Sequence, residues 1–165
     1  MKCVLLCLII TCSTYIGYGF SSYYRKRLRL FKDCHNFANK LIVDINFSKN
    51  NLKEIISSSL GNYGSDFKQI LNRFLNYLNS DATILKSEDI FVKNNFLSVE
   101  ERQVIFTFLK GLGRYDAENQ IKELEDFKLK FDELKQQANN ENKKYGALYV
   151  KLGLMFGIML AILLI

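Results

Sequence analysis

The chain has 165 residues, a net charge of +6, four Cys, one His, no Pro and no Trp. That length allows one small domain and no more once its apolar ends are set aside. A lone His and a lone domain Cys exclude a disulfide framework, and they leave too few ligands for a structural metal site.

The first element is an apolar run over 3–20 that contains Cys3, Cys7 and Cys12. Arg25, Lys26, Arg27, Arg29 and Lys32 follow it directly. Beside an apolar segment, such a block marks the cytoplasmic side and meets anionic headgroups. Nucleic acid is the competing reading of the same charges, and it is set aside here. A cleaved signal peptide would need a small-x-small site, which is not well formed near Ser21-Ser22. The run is therefore read as a retained transmembrane anchor, with 22–145 as a cytoplasmic helical domain.

Within that domain Leu30, Phe31, Cys34, Phe37, Ala38, Leu41, Ile42 and Ile45 recur at the three-and-four spacing of a helix face. Asn50-Asn51 punctuates, and a short segment from Leu52 to Leu60 precedes the loop Gly61-Asn62-Tyr63-Gly64. Ser65 is the expected cap of a helix with Phe67, Ile70, Leu71, Phe74, Leu75 and Leu78 on one side, ending at Asn79-Ser80-Asp81. The stretch from Ala82 to Phe96 is less periodic. Ser98 and Glu101 have capping-box spacing ahead of Val104, Ile105, Phe108, Leu109 and Leu112.

Gly113 stops that helix, and Asp116 is placed to cap a last, long one carrying Ile121, Leu124, Phe127, Phe131, Leu134 and Ala138. The fold class that follows is all-α: about five helices stacked as antiparallel hairpins, flanked by N- and C-terminal transmembrane helices. In the corner between the last two helices, a tight turn needs only Gly113 and the Asp116 cap. Arg114 and Gln120 are further polar donors, suited to facing a partner or closing the hairpin, so Arg114, Asp116 and Gln120 are the candidate partner-interaction residues.

The last helix is expected to run nearly unbroken into a second transmembrane segment, 146–165. Lys143, Lys144 and Lys151 precede its uncharged end, so both inner flanks are positive. The 14 residues from Leu152 onward span about 21 Å against a hydrocarbon core of roughly 30 Å, so Lys151 must snorkel. Gly153, Gly157 and Ala161 are small residues four apart, a strip where another membrane helix can approach closely. Cys3, Cys7, Thr11, Thr14 and Gly17 offer a matching strip in the first run. Arg25, Lys26, Arg27, Arg29, Lys144 and Lys151 are the expected membrane-surface residues.

Catalytic chemistry is not indicated. His35 follows Cys34, and adjacent helical residues point about 100° apart, so the two do not face one substrate. Gly111-Leu112-Gly113-Arg114 lacks the spaced glycines and Lys of a phosphate loop. No catalytic residue, cofactor or metal is expected.

The order of these features resembles the stage III sporulation protein AB family. The resemblance is carried by the anchor and basic block, Leu41-Ile42-Val43-Asp44-Ile45, and Gly113-Arg114-Tyr115-Asp116 with Gln120. The ending Lys144-x-x-x-x-Tyr149-x-x-Leu152-Gly153-x-x-x-Gly157 completes it. It covers essentially the whole chain, with Ile42-Val43-Asp44-Ile45 where the family leads one to look for Glu-Ile, and a surface rich in Asn and Lys. The resemblance implies a small protein of the mother-cell membrane surrounding the forespore. The helical domain is similar to those of type II secretion and type IV pilus inner-membrane platform proteins. Its implied partners are other stage III sporulation proteins, among them the secretion-type ATPase, stage III sporulation protein AA. It leaves homo-oligomerisation open. The alternative from another class is an extracytoplasmic, membrane-anchored helical lipoprotein or adaptor.

Overall fold

The computed structural model describes residues 2–47, 51–80, 84–92, 95–114 and 116–163, without the side chains of 2–5. Asn50, Asp81, Tyr115 and Ile165, and the side chain of Cys3, on which expectations were placed, lie outside the described set. The helices in chain order are α1 (Lys2–Phe47), α2 (Leu52–Ser59), α3 (Ser65–Asn79), α4 (Ser87–Ile90), α5 (Val99–Gly111), α6 (Ala117–Glu141) and α7 (Ala147–Leu163). No strand occurs among the described residues. The long helices are those the apolar periodicity signals, and no Pro interrupts them.

The chain divides into two compact units, residues 1–28 with 136–165, and residues 29–135. In the larger unit Leu30, Phe31, Cys34, Phe37, Ala38 and Leu41 of α1 are buried, as are Phe67, Ile70, Leu71 and Phe74 of α3. Ile105, Phe108 and Leu109 of α5 and Leu124 and Phe131 of α6 complete the core. Edge-to-face aromatic pairs tie these helices together: Phe37 with Phe67 at 5.6 Å, Phe37 with Phe108 at 6.1 Å, and Phe108 with Phe131 at 5.1 Å. Ile42 and Ile45, at the end of the α1 stripe, are only half-buried.

Two local expectations are corrected. The N-cap of α3 is Gly64, not Ser65; the Gly64 N–H donates to Asp33 Oδ2 at 2.9 Å. A Cβ at Gly64 would come within 2.9 Å of Arg29 Cδ and 3.0 Å of Asp33 Oδ2, so these two side chains would have to shift to admit one. The aperiodic stretch after α3 holds one helical turn, α4, whose Ile90 is buried together with Phe91. Ser98 caps α5 as expected: its Oγ accepts from Glu101 N–H at 3.2 Å, and Glu101 Oε2 accepts from Ser98 N–H at 2.9 Å.

In the smaller unit the start of α1 lies beside α7. Residues Asn142–Gly146 wind as a π-helical turn between α6 and α7. The helical run Ala117–Leu163 is thus continuous, and it is the one helix among the described residues long and apolar enough to cross a membrane. The expected first span, 3–20, is helical within α1 but does not meet the same requirement among the described residues. The two flanking spans therefore reduce to one at this level.

Candidate functional site

The corner between α5 and α6 is built by a change of backbone hand. Gly113 has φ +77°, the left-handed region that glycine enters without strain. Its N–H donates to Gln120 Oε1 at 2.9 Å, and Gln120 Nε2 reaches Glu123 Oε2 at 3.4 Å. Gln120 is buried, 4% exposed. It closes the corner from inside and is not at the surface, which corrects its expected partner-facing role. The helices come close here: a Cβ at Gly111 would sit 2.7 Å from Glu123 Oε1.

Arg114 and Asp116 are both exposed. Asp116 Oδ1 accepts from Asn119 Nδ2 at 2.7 Å, and the Asp116 carbonyl accepts from Gln120 N–H at 2.9 Å. The hydrogen bond from the Asn119 side chain, helped by the Asn119 backbone N–H, holds the Asp116 carboxyl below its ordinary value. Burial raises Glu123 instead, with the Arg114 cation opposing it.

Three further titratable groups of this unit are held by packing or pairing. Burial pushes the Cys34 thiol well up, away from thiolate reactivity. His35 is half-buried and lies 3.9 Å from Asp132 Oδ1, with Lys135 also on Asp132. Tyr63 is pushed up to about 12, first by burial and then by Asp33 and Asp44. No group of three His, Cys, Asp or Glu suited to a metal occurs among the described residues.

In the smaller unit the contacts define an antiparallel helix pair. A Cβ at Gly17 would meet Tyr149 O at 2.5 Å, one at Gly153 would meet Ser13 O at 2.7 Å, and one at Gly157 would meet Ile10 Cα at 3.0 Å. Ser13 Oγ donates to the Gly153 carbonyl at 2.7 Å. Ala161 is buried on the same helix. The face that α1 presents is Ile10, Ser13 and Gly17. Of the strip expected there Gly17 lies at the contact and Thr14 is half-buried, Cys7 and Thr11 are exposed, and the Cys3 side chain lies outside the described set. Ser13 lies four positions before Gly17, so the small-residue spacing contained the signal.

Toward the other end of this pair Tyr149 stacks on Phe20 at 5.6 Å and on Tyr24 at 5.9 Å. Arg27 is 7% exposed and pairs with Glu141. It is an ion pair between helices, not a headgroup contact, which corrects its expected membrane-surface role. Arg25, Lys26, Lys144 and Lys151 are exposed, with Arg25 over the Tyr18 ring at 4.4 Å and Lys144 over the Tyr145 ring at 5.1 Å. In the larger unit Arg29 is also exposed.

The described residues thus form an all-helical protein with one helix long and apolar enough to cross a membrane and a closely packed helix pair at its small residues, features in keeping with membrane association. The chain belongs to the stage III sporulation protein AB family, whose model matches residues 2–165. No curated protein and no solved structure matches it.

Proposed function

We propose that the chain is a non-enzymatic membrane platform of the sporulation stage III complex, coupling the secretion-type ATPase, stage III sporulation protein AA, to a channel between mother cell and forespore. Both apolar segments, 3–20 and 146–165, span the mother-cell membrane around the forespore, and the helical domain between them faces the cytoplasm. The observation that carries this reading is the corner. Gly113, Gln120 and the Asp116 cap hold it fixed from within, while Arg114 stays exposed as a donor fork suited to carboxylates. Family membership supports the setting in sporulation. The positive flanks support the orientation.

The test is co-purification of the full chain with the ATPase from sporulating cells. Recovery with the native chain and its loss with Arg114→Glu is the expected result. Equal recovery with both contradicts the role of the corner, and no recovery with either contradicts the partner. One observation favours a second reading, a singly anchored extracytoplasmic adaptor: one helix among the described residues is fit to span. Protease digestion of the domain in intact protoplasts, set against inverted vesicles, separates the two.

A further inference from the structure

Beside the corner the larger unit holds a groove of about 370 Å³. Phe74, Leu109 and Leu112 form its buried floor, while Ile84 on its wall is 72% exposed. Two exposed cations line the same groove, Lys110 and Arg114, and no carboxylate is among its described lining residues. Arg114 forms no ion pair with a described residue, and its charge acts on the partly buried Glu123 carboxyl.

We propose that this groove docks a partner segment that carries an apolar side chain with Asp or Glu beside it. The inference rests on the reading of the corner as a partner contact and states what that partner must present. The floor takes the apolar group out of water, and Ile84 becomes covered by it. The two cations select carboxylates and reject basic segments. A second copy is a poorer occupant, because the chain itself carries +6.

The experiment places a photoreactive amino acid at Ile84 of the full chain in sporulating cells and sequences the peptide it captures. Ile84 is exposed, so the replacement leaves the core intact. The expected adduct is a peptide of another protein with an apolar residue flanked by carboxylates. Its yield should fall about tenfold with Lys110→Glu and Arg114→Glu combined, and persist with Arg114→Lys. An adduct to lipid, to a second copy, or to a segment without carboxylates overturns the proposal, as does a yield indifferent to charge reversal. If the captured acidic peptide comes from a protein other than the ATPase, the groove stands and the ATPase reading fails. If the ATPase still co-purifies with the doubly reversed chain, the groove fails and the ATPase reading stands.

Discussion

Arg114 and Gln120 are six positions apart and do opposite work. Gln120 answers the Gly113 N–H from within, so Gln120→Ala should cost about 1–3 kcal/mol by stranding that donor. Arg114→Ala should cost less than about 1 kcal/mol in chemical denaturation of the full chain, while lowering the spore count. A spore count unchanged by Arg114→Ala would make the corner structural only. Two acids of this unit, Asp116 and Asp33, respond to pH with opposite signs. Asp116 is held below its ordinary value, so its contribution is full above that value and is lost as pH falls through the folded one. Asp33 is raised, chiefly by burial and against the Gly64 hydrogen bond, so its ionisation opposes folding as pH rises past the ordinary carboxylate value. Asp33→Asn should therefore gain on the native chain between acid and neutral pH, and Asp116→Asn should lose on it. Denaturation midpoints taken from pH 3 to pH 7 check both directions. Arg114 and Asp116 were legible as exposed corner residues, because their chemistry is local. For Gln120 the sequence leaves both options open, facing a partner or closing the hairpin, because a side-chain amide reads alike whether it points out or back to a backbone seven residues away.

At the scale of elements, apolar periodicity identifies α3, α5, α6 and the second half of α1, each of which buries one stripe of three-and-four spacing, while α7 is legible from its uninterrupted apolar run. Periodicity fails for α4, which is too short to show a period. It fails also at the start of α3, where Asp33, 31 positions away, holds Gly64. No local pattern encodes a bond of that range. Phe108 touches Phe37, Phe127 and Phe131 and is 1% exposed, so Phe108→Ala should cost about 3–5 kcal/mol. A loss below about one would remove it from the core. In the helix pair the glycines at the contact are separable from one that is not. Gly153→Ile should lower the Tm of the full chain in detergent, by a loss of about 1–3 kcal/mol or more from overpacking against backbone. Gly19→Ala, with open space at its Cβ, should leave Tm in place. Equal effects from the two would mean that the close approach does not hold the pair.

For the whole molecule, the proposed orientation rests on the positive residues inside both apolar ends, and these are visible without any structure. The pairing of those ends is less visible. Ser13 and the Arg27–Glu141 pair do much of that joining, and each is an ordinary residue until its partner on a distant stretch of chain is known. The platform reading requires both ends to cross the membrane and hold the domain on its cytoplasmic face. A reporter pair fused after residue 165, alkaline phosphatase in one strain and green fluorescent protein in another, is the decisive measurement. Active phosphatase and no fluorescence is the expected result. Fluorescence with inactive phosphatase would put that end in the cytoplasm and contradict the platform as drawn.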